Sequence, residues 1–225
     1  MTQAAMQAHA HDAGCQSPPQ DEHRTGHEAE HHDYFGAKLG MWLFLVTEIL
    51  LFSGLFIAYS YMRSRYPAEF HHAGSELNAV IGVANTFILL TSSLTMALGI
   101  VSLQRGNRGR SLLCVAATIV LGLAFLVDKA FEWTHEIGHG LYPRSPVLAT
   151  HPPGEQVFFG LYYTMTGLHG LHVVAGMALL TIMAVLLVRG RITPERPLLL
   201  ENSGLYWHLV DVVWIFLLPL FYLAA

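Results

Sequence analysis

A single acid and two residue pairs have the types and spacing to handle protons inside apolar runs. Glu48 stands alone in WLFLVTEILLFSGLF, where a carboxyl could exchange a proton or bond a neighbouring helix. His169 and His172 are three residues apart, and so are His208 and Asp211, so each pair shares one helix face. An ionisable side chain in a bilayer costs several kcal/mol and therefore tends to face protein or water and to have a role. Asp128 and Glu132 also share a face, but they and Lys129 fall near the end of their run, where charges are expected to reach water cheaply. Asn85, Ser92 and Ser93 add small polar groups to the second run, and read as packing and hydrogen bonding between helices.

Two kinds of metal chemistry are suggested by the histidines. The three membrane histidines could bind a haem, but His169 and His172 lie on one helix, whereas two axial ligands normally come from facing helices; His208 could supply the second, though nothing in the sequence requires it. Hydrogen bonding between helices accounts for all three without a haem. Residues 135–139 read His-Glu-Ile-Gly-His, the zinc-protease pattern with His135 and His139 as ligands and Glu136 as base. That pattern fixes only three positions, in a chain with 14 histidines. Gly138, Gly140 and Pro143 are expected to weaken the helix carrying it. An extended metzincin form needs glycine at 142 and histidine at 145, where Tyr142 and Ser145 stand. Glu155 and His151 could offer a third ligand, but no pattern places either one. The expectation is no metal on this chain, with His9, His11, His23, His27, His31 and His32 belonging to a solvated tail.

The elements that position these groups follow from composition. The chain has 225 residues, 53% hydrophobic and only 12% charged. A soluble domain carries roughly twice that charged share. The apolar residues fall into five runs, at about 38–61, 78–103, 111–133, 157–188 and 203–224. Each is long enough to cross a bilayer, which takes about 20 residues. Apart from Pro219 near the end of the last run, their interiors lack proline. Backbone groups in lipid must be satisfied internally, so the runs read as helices and the fold class as all-α, a polytopic bundle of five transmembrane helices. The fourth run exceeds one bilayer thickness, so it tilts or protrudes. Gly167, Gly170 and Gly176 give it a small-residue face suited to close packing. Residues 34–225 form the membrane domain. Residues 1–33, polar and His-rich, read as a disordered cytoplasmic tail without a signal-type apolar core.

Orientation rests on the basic residues. Arg24, Lys38, Arg105, Arg108, Arg110, Arg189, Arg191 and Arg196 fall on one side, against Arg63, Arg65, Arg144 and Lys129 on the other. The excess predicts an inside N-terminus and an outside C-terminus. Cys15 and Cys114 lie far apart and suggest neither a disulfide nor a thiolate metal site. The net charge of -4 and the lack of a basic patch give no sign of a nucleic-acid partner.

Several stretches, taken in order, resemble subunit III of the haem-copper oxidases of the cytochrome c oxidase kind. They are Trp42-Leu-Phe-Leu with Glu48 and Phe52-Ser-Gly-Leu-Phe56; Asn85-Thr with Leu90-Thr-Ser-Ser93; and Phe131-Glu-Trp133. More specific are Thr166-Gly-Leu-His-Gly-Leu-His-Val173 with Gly176, and Tyr206-Trp-His-Leu-Val-Asp-Val-Val-Trp-Ile-Phe216. The chain looks like the family's bacterial five-helix form, which lacks the first two helices of the seven-helix form. The His139-Gly-Leu-Tyr-Pro143 stretch also fits that form. The resemblance implies that this chain itself carries no redox centre or other cofactor, with haem and copper held by partner subunits. It implies direct packing on oxidase subunit I, with subunit II and others in the complex. It implies bound phospholipid, an apolar path for oxygen and support of proton uptake, in an aerobic respiratory oxidase of the bacterial cytoplasmic membrane. Glu48 would be the family's membrane-embedded carboxyl. Asn85, Glu132, His169, His172, His208 and Asp211 would be polar core or interface positions, and Arg189 a lipid-phosphate contact. An accessory subunit of a quinol oxidase or a nitric oxide reductase is the close alternative, and a membrane zinc protease the remote one.

Overall fold

The computed structural model describes residues 20–195 and 197–223, with side chains from Tyr34 onward. The chain divides into two units, 1–39 and 40–225. All regular structure among the described residues is helical, in the order α1 (Gln20–Arg65), α2 (Pro67–Ser75), α3 (Ala79–Gln104), α4 (Arg108–Gly138), α5 (Pro153–Val188) and α6 (Leu198–Leu218). A 3-10 turn, Leu148–Thr150, precedes α5, and a π-helical turn, Pro219–Leu223, completes α6. Five of these segments have the length and apolarity to cross a membrane: Phe35–Arg65, Ala79–Gln104, Arg108–Gly138, Pro153–Val188 and Leu198–Leu223. This is the five-span, all-α architecture expected from the sequence.

The differences lie at the ends. Helix α1 begins at Gln20, ahead of the expected start at 38, in a stretch rich in Glu, Gln, His and Ala that tolerates helix well. The tail histidines fall outside the side chains described. The first loop holds the short helix α2, started by Pro67, which had no apolar periodicity to announce it. Helix α4 runs on through Gly138 rather than stopping near 133. Gly140, at φ 77°, is where the chain turns away from it. The Gly140 and Leu141 amides donate back to the Ile137 and Glu136 carbonyls at 3.0 Å each, a C-terminal cap that needs a left-handed glycine. Of the residues expected to weaken the helix, Gly138 is thus its last residue and Gly140 supplies its cap. Asn78 and Asn107 cap the other ends of α3 and α4, accepting from the Val80 and Arg110 amides at 3.0 and 3.2 Å.

Helices α3, α4, α5 and α6 pack on one another around Trp207, which is fully buried. Its indole N–H donates to Ser92 Oγ at 3.0 Å. A Cβ added at Gly122 of α4 would lie 2.7 Å from its ring, and one at Gly176 of α5 2.9 Å away. Those two glycines are what let α4 and α5 close on α6. Gly170, expected to share this role, has open space where a Cβ would go, while Gly167 faces Trp133. Helix α1 meets α5 and α6 through long side chains: Phe44 against Tyr206, Phe52 against His172 and Phe56 against Phe216. A second apolar knot, Tyr59, Phe70, Phe158, Tyr162 and Phe221, joins rings edge to face near the end of α1.

Candidate functional site

Glu48 and His172 come together. Glu48 Oε2 lies 2.8 Å from His172 Nε2, and each side chain keeps 15% of its surface exposed. His172 Nδ1 is 2.8 Å from the Leu168 carbonyl on its own helix. A carbonyl only accepts, so Nδ1 must carry its proton. One further proton then sits on the line between Nε2 and Oε2, on the acid or on the imidazole, making either a neutral pair or an ion pair. Phe52 packs edge-on against the imidazole at 5.3 Å, and the Tyr206 hydroxyl donates to the His172 carbonyl at 3.3 Å. Three helices therefore hold a carboxyl–imidazole pair in which one proton is shared and partly reachable.

Glu132 belongs to a different arrangement. Lys129 Nζ donates to Glu132 Oε1 at 3.0 Å, to the Tyr162 hydroxyl at 3.0 Å and to the Tyr222 hydroxyl at 2.6 Å. Both hydroxyls donate in turn to Glu132 Oε1. All three ammonium protons are used, which is what a buried ion pair requires. Lys129 and Glu132 are 6% and 5% exposed. This corrects the expectation that they reach water at the membrane surface. The rings of Tyr162, Trp214 and Tyr222 lie 4.8–5.2 Å from Nζ and give the cation an aromatic wall. Lysine 129 could not be picked out from its position near a helix end, and Tyr162 and Tyr222 carried no signal of their own. The i, i+3 spacing of Lys129 and Glu132 was the one available clue.

The remaining membrane polar residues do not converge. His169 is 1% exposed, packed edge-on to Phe125 and alongside Trp214, with no hydrogen bond to either nitrogen among the described residues. His208 Nδ1 is 2.6 Å from Ser93 Oγ, a link between α6 and α3. Asp211 is buried on the same face of α6, and Asn85 is fully buried on α3 with both side-chain ends unpartnered among the described residues. Hydrogen bonding between helices thus accounts for His172 and His208, as expected, but not for His169, which among the described residues is held by ring packing alone. Arg189 is the exposed residue that ends α5.

At the far end of α4, His135 and His139 are exposed while Glu136 is buried between helices. The buried Glu155, at the start of α5, is 2.6 Å from His151 Nδ1 and 3.2 Å from His72 Nδ1. Glu155 and His151, considered in the sequence as loose third ligands for zinc, are therefore partners of one another.

Five long apolar helices with a carboxyl–imidazole pair inside them define a multi-pass membrane protein, built as a bundle rather than a barrel. Residues 21–225 match the family model for cytochrome c oxidase subunit III. The chain belongs to that family, whose members are subunit III of haem-copper oxidases. It is 32% identical over 215 residues to the cytochrome bo(3) ubiquinol oxidase subunit 3 of Pseudomonas aeruginosa, covering 91% of this chain and 94% of that one. It is 31% identical over 203 residues to the cytochrome c oxidase subunit 3 of Thermostichus vulcanus, covering 88% and 92%. It is also 32% identical over 192 residues to the quinol oxidase subunit 3 of Bacillus subtilis, covering 83% and 86%. Family membership makes the chain one part of an oxidoreductase complex with partner subunits.

Proposed function

We propose that this chain is the non-redox subunit III of an aerobic terminal oxidase of the cytochrome c type in the bacterial cytoplasmic membrane. It packs on subunit I, stabilises it and sustains its proton uptake. The observation that carries the reading is the Glu48–His172 pair, a proton-holding group within the apolar spans. The haem and copper belong to the partner chains.

Two further roles rest on the packing of α1. A cavity of about 410 Å³ lies between α1 and helices α5 and α6, lined by Met41, Phe44, Leu179, Met183, Leu199 and Tyr206 among others. Its apolar wall suits an acyl chain, and Arg189, at the end of α5, supplies a cation for a phospholipid phosphate. The outer faces of α1 and α3 present Leu43, Leu50, Ile57, Val80 and Phe87, a surface for a membrane neighbour and for an apolar oxygen path. A quinol oxidase is the second reading, favoured by the Pseudomonas and Bacillus relatives, whose names carry quinol at the same identity.

The test is isolation of the native complex in mild detergent. A haem-copper subunit should co-migrate with this chain at equal stoichiometry, and reduction by cytochrome c but not by quinol selects the first reading. A chain that migrates alone, with its own haem spectrum, would overturn both.

A further inference from the structure

The last turn of α4 holds a feature that the role above does not use and that does not depend on it. His135 Nε2 and His139 Nε2 are 3.3 Å apart, with the rings inclined at 61° and their centroids at 4.5 Å. Two imidazole ligands of one tetrahedral zinc, each about 2.0–2.1 Å from it, sit about 3.3–3.4 Å apart. The observed separation equals that span.

The surroundings point the same way. His135 Nδ1 faces Glu136 Oε1 at 3.7 Å, too long for a hydrogen bond, but the carboxylate on that side favours the proton on Nδ1 and turns the Nε2 lone pair toward His139. A carboxylate behind the distal nitrogen is the usual orienting partner of a metal-bound histidine. Glu136 is 4% exposed, and that imidazole is the one salt-bridge partner found for it among the described residues. A buried carboxylate with so weak a partner is poorly compensated, and a cation on the facing histidine supplies the missing charge. A cavity of about 280 Å³ opens in front, lined by Glu76, His135, Glu136, His139, Leu141, Val147 and His151. Two carboxylates and three imidazoles give it a cation-attracting wall, and both ligand imidazoles are exposed to water.

We infer that His135 and His139 form a two-imidazole site for a divalent transition ion of the zinc or copper kind, with Glu136 as the outer carboxylate. This departs from the expectation that the chain holds no metal, and it is not the protease reading. Among the described residues no group of three or more ligand side chains is assembled. Two positions on the ion are therefore left to water, and the ion exchanges from solution. Imidazole ligands select zinc, copper and nickel over magnesium and calcium. The helix makes the site: residues four apart share a face, and the Gly140 cap keeps His139 in register with His135.

The experiment uses the full chain with the six tail histidines changed to alanine, so that His9, His11, His23, His27, His31 and His32 cannot compete. Zinc binding is measured by titration calorimetry, and bound copper(II) by electron spin-echo spectroscopy, which counts coordinated imidazoles. The expected result is one zinc per chain and two imidazoles on copper. His135→Ala and His139→Ala should each weaken zinc by at least about tenfold. Glu136→Gln should weaken it by about tenfold, the lower end for loss of an outer partner. His71→Ala, at an exposed histidine outside the cavity, should change nothing. Magnesium should not compete. Folding of each variant is checked by circular dichroism. A single coordinated imidazole, binding indifferent to His139→Ala, or no binding by a folded chain would overturn the site and leave a hydrogen-bonded histidine pair.

Discussion

Replacing Lys129 with methionine should be among the most damaging single changes in the membrane domain. Methionine matches the length and apolar character of the lysine stem, so packing is largely kept while the charge disappears. Glu132 then stays at 5% exposure with no cation, accepting only from the Tyr162 and Tyr222 hydroxyls. Stripping one partner from a buried pair costs about 3–5 kcal/mol. The two tyrosine donors remain, which places the expected loss near the lower end, about 3 kcal/mol. Glu132→Gln should cost less. The amide oxygen still accepts from Lys129, and the three aromatic rings within 4.8–5.2 Å continue to face the ammonium. The double variant Lys129→Met with Glu132→Gln removes both charges together. It should be more stable than Lys129→Met alone, with a coupling of at least about 2 kcal/mol. The assay is unfolding of the full chain in mixed micelles of dodecyl maltoside and increasing dodecyl sulfate, followed by circular dichroism. If Lys129→Met lies within about 1 kcal/mol of the parent, or the two changes simply add, the pair is not holding α4, α5 and the C-terminal turn together as argued.

Further outcomes follow from the same geometry. Gly176→Ala and Gly122→Ala, whose new methyls would press on Trp207 from 2.9 and 2.7 Å, should each cost about 1–3 kcal/mol in that unfolding assay. Gly170→Ala, with open space at its Cβ, should be neutral within error. Glu48→Gln retains an amide that can donate to His172 Nε2, so the complex should assemble with its haem spectrum intact while sustained turnover changes. Glu48→Ala loses the contact and should additionally cost about 1 kcal/mol of stability. Loss of haem from an assembled Glu48→Gln complex would contradict the non-redox assignment. Deleting residues 1–30 should leave assembly unchanged, checked by co-purification of the partner subunits.

The architecture was readable because bilayer thickness imposes one period on the sequence: five long apolar runs, free of internal proline but for Pro219 near the end of the last. What could not be read was pairing across helices. Glu48 and His172 were both singled out, but they are 124 positions apart, and no spacing rule joins residues on different helices. Lysine 129 was misjudged for a related reason. Near a helix end, composition cannot distinguish a side chain that bends out to water from one that turns inward to two tyrosines. The extent of α4 differs from the expected one because a glycine two residues beyond a helix and a glycine inside it look alike until φ is known. Gly140 caps, and so the five residues 135–139 finish on a helix rather than in a loop.

Two acids in the membrane, Glu48 and Glu132, illustrate how burial sorts function. Glu132 is held by an ammonium and two phenols, with side-chain exposure of 3%. Moving a proton onto it would break a network with every lysine donor committed, so it is suited to fixing helices. Among the described residues Glu48 has one hydrogen-bond partner; it keeps 15% of its side-chain surface open and lies on α1, the helix whose candidate span is least buried. The proton it shares with His172 has two resting places separated by one hydrogen bond. The rest of the pair needs no rearrangement when that proton shifts, because Leu168 holds Nδ1 in either state. On the function proposed above, such a group would hand its proton to a neighbour packed on α1 at the cost of one hydrogen bond, about 1 kcal/mol, while the rest of the bundle stays in place. A carboxyl buried as deeply as Glu132 could not do so without first opening the core.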